Sequence, residues 1–137
     1  MIQKKINLKL VNKTDHEFLY DLLKHRDQNV NISHKKMPSF KEHIKFVKSK
    51  PYSMWYIIKQ NNEKVGSIYL SKQNEIGLFM KNNVQGQNIG TKALKLLILK
   101  NPKKRILANI NPKNKKSIKF FEKNGFKLIQ YTFELEK

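Results

Sequence analysis

Polar and apolar residues alternate along "KINLKLV", Lys5 to Val11, with the two-residue period of a half-buried strand. The period then lengthens. In "TDHEFLYDLLKHR", Phe18, Leu19, Leu22 and Leu23 fall at helical spacing behind Thr14, a residue suited to cap a helix. "PSFKEHIKFVKS" repeats the device, with Ser39 at the cap, Glu42 in the capping-box position and Phe40, Ile44 and Val47 as the apolar stripe. "SMWYIIKQ", "KVGSIYLS" and "EIGLFMKN" read as three consecutive strands, the first two joined through "NNEK", and so predict an antiparallel meander. "IGTKALKLLILK" puts Ile89, Ala93, Leu96 and Leu97 on one helical face and stops at Asn101 and Pro102. "RILANI" is a short strand. "NKKSIKFFEKNGF" is a helix ended by Gly125 in a left-handed cap, with Phe126 folding back onto it. "KLIQYTFEL" is expected to close the sheet. The pattern predicts a mixed α/β domain, with a twisted, mostly antiparallel sheet of about six to seven strands flanked by about four helices.

Length and composition narrow this little. At 137 residues, 1–137 fits a single domain with one core and no linker or repeat. No window reaches the roughly 18 apolar residues of a membrane span, and "MIQKKINLKLVNKTD" lacks the apolar core of a signal peptide, so a cytoplasmic protein with no membrane partner is expected. The absence of cysteine removes disulfides, thiolate nucleophiles and cysteine-ligated zinc; the histidines form no metal pattern. The formal net charge of +19 invites a nucleic-acid reading. Against it, only Arg26 and Arg105 are arginines, and the lysines are spread along the whole chain rather than gathered with stacking aromatics. A polyanionic small ligand would still be attracted.

Two of the five glycines stand in "VQGQNIGTKAL", Val84 to Leu94, in front of a helix. A helix start exposes unpaired N–H groups and a partial positive charge, and Gly86 and Gly90 let the backbone approach an oxyanion with no Cβ between. Such a turn can hold a phosphate or can be an ordinary strand-to-helix connection. Its surroundings favour the former. "QGQNIGTKAL" after "EIGLFMKN" and before "NPKNKKSIKFFEKNGF" resembles the GNAT superfamily of acetyl-CoA-dependent N-acetyltransferases, over nearly the whole chain.

The resemblance implies a GNAT-like fold with a central splayed parallel pair, and an N-acetyltransferase that moves the acetyl group of acetyl-CoA to a primary amine by direct attack in a ternary complex. It assigns the pyrophosphate to Gln85, Gly86, Gln87, Asn88, Ile89 and Gly90, with Thr91 following at the helix start. Leu78, Phe79 and Met80 would pair with the pantetheine arm. Asn111, Asn114, Lys116, Ser117 and Phe120 would add cofactor contacts. Glu75 stands where many members carry their catalytic glutamate. Two positions depart from the pattern: Asn88 replaces the usual glycine, and Phe121 replaces the tyrosine that protonates the departing thiolate. Solvent or another residue would then supply that proton, with Tyr69 and Tyr131 as candidates. Asparagine tolerates positive φ best among residues other than glycine, so the turn is expected to keep its shape.

The acceptor would lie between the first two helices, where Arg26, His25 and Trp55 are candidate contacts. Arg26 with "SFKEHIKFV" and "EIGLFM" resembles a subgroup that acetylates nucleotide-linked amino sugars. A protein N-terminus, a polyamine or another small amine is the nearer alternative, and a non-catalytic RNA- or ribosome-binding module the more distant one. A monomer or a homodimer would serve.

Overall fold

The computed structural model describes residues 5–25, 37–84 and 88–137. Its elements are β1 (Ile6–Leu10), α1 (His16–Lys24), α2 (Phe40–Lys48), β2 (Met54–Gln60), β3 (Glu63–Leu70), β4 (Glu75–Met80), α3 (Ile89–Lys100), β5 (Leu107–Ala108) and α4 (Lys115–Lys123). The strands form one sheet in the order β1-β2-β3-β4-β5. All pairs are antiparallel except β4 and β5, which run parallel. The β2–β3 hairpin turns on Asn61 and Asn62, both left-handed (φ 50° and 71°), which matches the right-handed twist of the flanking strands.

Successive side chains alternate across the sheet, so each face has its own core. On one face Tyr56, Ile58, Val65, Ile68, Leu70 and Ile76 meet Ile89, Ala93, Leu94 and Leu97 of α3 and Phe121 of α4. On the other, Ile57 meets Leu19 of α1 and Val47 of α2, with Val11, Phe18 and Trp55 alongside.

Several local devices are as expected. Ser39 Oγ accepts from the Glu42 N–H at 3.1 Å and Glu42 Oε1 accepts from the Ser39 N–H at 2.9 Å, the reciprocal capping box. Gly125 is left-handed at φ 92°, the Phe126 N–H reaches the Phe121 carbonyl at 2.9 Å, and the two rings meet edge to face at 5.1 Å.

Two expectations are corrected. Thr14 is not the cap: Asn12 accepts from the Thr14 N–H at 2.9 Å and starts a 3-10 turn, Lys13–Asp15, from which α1 continues. Asparagine at the preceding position competes better for the free N–H groups. "KLIQYTFEL" does not close the sheet. Among the described residues, 127–137 join no strand, and the described sheet has five strands, not six or seven.

Asp15 anchors the start of α1 to the sheet. Its fully buried carboxylate pairs with Lys9 at 2.8 Å and Lys64 at 2.7 Å and accepts from the Asn12 N–H at 2.9 Å. Burial pushes this carboxyl up, but the bonds from Lys64, Lys9 and Asn12 outweigh burial and hold it below its ordinary 3.8. For His43 of α2, burial, aided by the charge of His16, pushes the imidazole below its ordinary 6.5. Both folded-state values are depressed, so each group contributes stability that is present above its unfolded value and lost as pH falls through its folded one. The melting temperature should therefore fall from about pH 6.5 downward, through His43, and again below about 3.8, through Asp15. Asp15→Asn should cost about 2 kcal/mol at neutral pH and flatten the second step, as thermal melts across pH would report.

Candidate active site

β4 and β5 pair only at Glu75 with Leu107 and at Ile76 with Ala108. Beyond Ile76 they part. From Gly77 to Met80, β4 keeps β3 on one side and among the described residues has no strand on the other. Every second peptide group there points into the gap, ready to pair with an extended amide-bearing chain.

Around this splay the structure gathers residues from three elements. Gly90, in the first turn of α3, lies so close to α4 and β4 that a Cβ there would sit 3.1 Å from the Phe120 ring and 3.5 Å from Leu78. That is a packing reason for this glycine, beside any approach of an oxyanion. Thr91 Oγ1 accepts from Asn124 Nδ2 at 3.4 Å, and Asn124 also binds the Phe120 carbonyl at 2.8 Å, so α3 and α4 are tied at the mouth of the gap. Asn124 carried no sequence signal beyond its place before Gly125.

Asn88 precedes α3 in the left-handed region (φ 58°, ψ 17°), and its side chain caps nothing. It tolerates the conformation that the family assigns to glycine. No acidic side chain stands in the first turn of α3 to neutralise the N-terminal dipole. Gln85, Gly86 and Gln87 lie outside the described residues. Asn88→Gly removes a side chain that would crowd the pyrophosphate, and should tighten acetyl-CoA binding about three- to tenfold. An unchanged dissociation constant in calorimetry would count against a role for this side chain.

In the turn before α4, Asn111 Oδ1 accepts from the Lys113 N–H at 2.9 Å and Asn114 Oδ1 from the Ser117 N–H at 3.2 Å. Both asparagines thus shape the turn that presents Lys116, Ser117 and Phe120. Phe121 is buried in the core against Phe126 and offers no proton.

On the opposite face of the sheet, odd-numbered residues of β4 line up with β3 and β2: Phe79 beside Ser67, Gly77 beside Tyr69, and Tyr69 beside Trp55. Here a cavity of about 190 Å³ opens, walled by Leu19, Leu22 and Phe46 from the helices and Tyr52, Trp55, Tyr69 and Phe79 from the sheet side. Glu42, His43 and Ser67 are its polar members. Trp55 Nε1 donates to Ser67 Oγ at 2.8 Å, which fixes the indole. The Nε2 of His43 is buried without a hydrogen-bond partner.

Tyr69 crosses from this cavity toward the splay. Its ring stacks on Tyr52 (centroids 3.7 Å apart, 3° between planes) and its tip covers Gly77, where a Cβ would fall 2.1 Å from the ring and 2.5 Å from the hydroxyl oxygen. The phenol thus lies over β4 one residue past the last β4–β5 pair. Glu75 stands on the same face two residues earlier. Its carboxylate accepts from Ser71 Oγ at 3.4 Å and from Asn109 Nδ2, a residue the sequence reading passed over.

Of the acceptor residues expected from sequence, Trp55 lines the cavity. His25 is an exposed residue at the end of α1 and is not among its walls. Arg26 lies outside the described residues. Tyr131 is exposed on the last segment of the chain. Tyr69 is the tyrosine that the structure brings to the β4 strand.

A profile of the Acetyltransferase (GNAT) family matches residues 16–126, which include the splay, the α3 turn and α4. The chain belongs to the GNAT acetyltransferase family. As such it is an acetyl-CoA-dependent acyltransferase. Among solved structures, a domain from Methanocaldococcus jannaschii DSM 2661 is 26% identical with a TM-score of 0.79, over 96% of this chain and 94% of that one. Aminoglycoside N-acetyltransferase AAC(6')-Iy in complex with CoA is 14% identical with a TM-score of 0.74, over 99% and 97%. The ribosomal alpha-N-protein acetyltransferase RimL in complex with coenzyme A is 19% identical with a TM-score of 0.75, over 95% and 84%. No curated protein matches the chain. The second and third likenesses are of fold. Among the described residues no helix of this GNAT protein is long and apolar enough to cross a membrane, and no cluster of side chains could hold a metal ion.

Proposed function

We propose that the chain acetylates a primary amine that enters through the aromatic cavity, with acetyl-CoA held along the β4 splay. The observation that carries this reading is the meeting of the two spaces at β4, where Phe79 borders the cavity and the same strand has lost its β5 neighbour. The cofactor supplies an acetyl thioester. Leu78, Phe79 and Met80 hold its arm through the main chain, Phe120 and Gly90 floor the gap, and the α3 N-terminus takes the phosphates. A main-chain N–H near Phe79 stabilises the oxyanion.

The amine nitrogen must lose a proton to attack, and the sulfur must gain one as it leaves. Glu75 accepts the first through water. Tyr69 donates the second from β3, in place of the tyrosine that Phe121 has displaced. Ser71 and Asn109 hold the Glu75 carboxylate, and the stack on Tyr52 with the bare face of Gly77 holds the phenol.

The acceptor is an amine carried on an apolar or aromatic group. Trp55, Tyr52, Tyr69 and Phe46 offer ring faces suited to a cation, and Glu42 is the acid at the wall. A nucleotide-linked amino sugar is the second reading, supported by Arg26 and the basic surface. A protein N-terminus and a polyamine are further members of the same class.

Calorimetric titration with acetyl-CoA, with ATP as polyanion control, tests the first half of the proposal. Binding clearly tighter than ATP, and weakly dependent on salt, is expected; binding no better than ATP would bring the RNA- or ribosome-binding module forward. An acceptor screen by free-thiol release then tests the second half, and the cysteine-free chain gives no background.

A further inference from the structure

His43, in the first turn of α2, lines the aromatic cavity. The residue is 5% exposed, and its Nε2 has no hydrogen-bond partner among the described residues. A buried polar atom left in that state costs stability unless a group from outside the chain completes it. Other polar atoms at the wall are engaged. Ser67 Oγ donates to the Tyr56 carbonyl at 3.1 Å and accepts from Trp55 Nε1 at 2.8 Å, and Glu42 Oε1 accepts from the Ser39 N–H at 2.9 Å. Among the described side chains that line the cavity, His43 is the one with a buried polar atom left over.

The chemistry of the ring narrows what can meet it. Burial and the charge of His16 disfavour the imidazolium, so the ring is neutral, with one nitrogen that donates and one that accepts. A hydroxyl suits Nε2 in either tautomer, because it does both. Space narrows the choice further: the cavity holds about 190 Å³, and one of about 150 Å³ takes a benzene ring, so a single ring or a short aliphatic arm fills it. Polycationic amines are disfavoured by the net charge of +19 and by the apolar walls.

We propose that the acceptor is a compact monoamine with a hydroxyl at the end remote from its amine, and that His43 Nε2 selects it through that hydroxyl. The inference rests on the reading that the acceptor enters this cavity. Helix α2 and strand β4 wall the cavity from opposite layers, so a molecule whose amine lies by Phe79 presents its far end to the helices. His43 is thus a specificity-determining residue and takes no part in proton transfer.

Trp55 is the chain's one tryptophan and lines the same cavity, so its fluorescence reads occupancy without turnover. Excited at the red edge of the indole absorption, where a phenol is silent, it should show tyramine binding about tenfold more tightly than phenethylamine, which lacks only the hydroxyl. His43→Leu should bring the two amines within about threefold of each other. His43→Gln keeps a hydrogen-bonding atom near the place of Nε2 and should restore most of the preference. A higher melting temperature in His43→Leu, the result of removing an unsatisfied buried atom, would separate the lost preference from misfolding. Equal affinities in the wild type, no saturable signal with tyramine, a preference that survives His43→Leu, or a loss shared equally by both amines would each overturn the proposal. Free-thiol release with the same amines reads acetyl transfer separately. Tyramine held through His43 but not acetylated would sink the proposed function and leave this site standing, whereas equal kcat/KM for the two amines would do the reverse.

Discussion

Gly77→Ala should lower turnover about 100-fold while acetyl-CoA affinity stays within a few-fold of wild type. The new Cβ would fall 2.1 Å and 2.2 Å from two carbons of the Tyr69 ring, a distance no contact survives. The ring cannot slide along its own plane without leaving the stack on Tyr52, so it must swing away from β4. One methyl group thus removes the proposed acid from the splay and deforms a wall of the acceptor cavity. Tyr69→Phe separates these effects. It keeps the ring, the stack and the cavity and deletes only the proton, so an equal loss of kcat assigns the effect to proton donation. Near-normal kcat in Tyr69→Phe beside a crippled Gly77→Ala would leave the tyrosine with a purely steric role.

Glu75→Gln is expected to lower kcat at saturating acceptor by about 100-fold, within the range of a lost general base. Glutamine keeps the length of the side chain and an oxygen that can accept from Ser71 or Asn109, so the β4–β5 junction should hold. A rate within a few-fold of wild type would reduce Glu75 to a clasp between β4 and the segment after β5.

The elements of this fold were legible wherever one period ran long enough. The three central strands, α2 with its capping box, α3 and the Gly125 cap all lie where pattern and cap chemistry place them, because each is determined by residues close in sequence. Thr14 misled because two candidate caps, Asn12 and Thr14, stand two residues apart, and propensity alone ranks them closely. "KLIQYTFEL" misled for a deeper reason. Alternation reports that a segment is able to pair, and says nothing of where its partner is.

The candidate site divides in the same way. The glycine-bearing turn before α3 and the β4 strand were visible as contiguous motifs. The cavity was not, because Trp55, Tyr69 and Phe79 come from three strands and share a face only through the cross-strand register. Nor could the sequence show that the missing side chain of Gly77 is the space that Tyr69 fills. Asn109 escaped notice because its meaning lies in a partner 34 residues away.

The two faces of the sheet differ in how firmly they are closed. Among the described residues, eleven buried residues knit α3 and α4 to one face, whereas Leu19, Val47 and Ile57 form the buried cluster that seats α1 and α2 on the other. Cooperative opening follows the density of such burial. The amides of α1 and α2 should therefore exchange with solvent deuterium well ahead of those in α3 and the central strands. Since that looser layer roofs the aromatic cavity, an acceptor bound there would act as a clamp, and the slowing of exchange in Leu19–Leu23 and Phe40–Val47 would identify a true substrate without any turnover being measured.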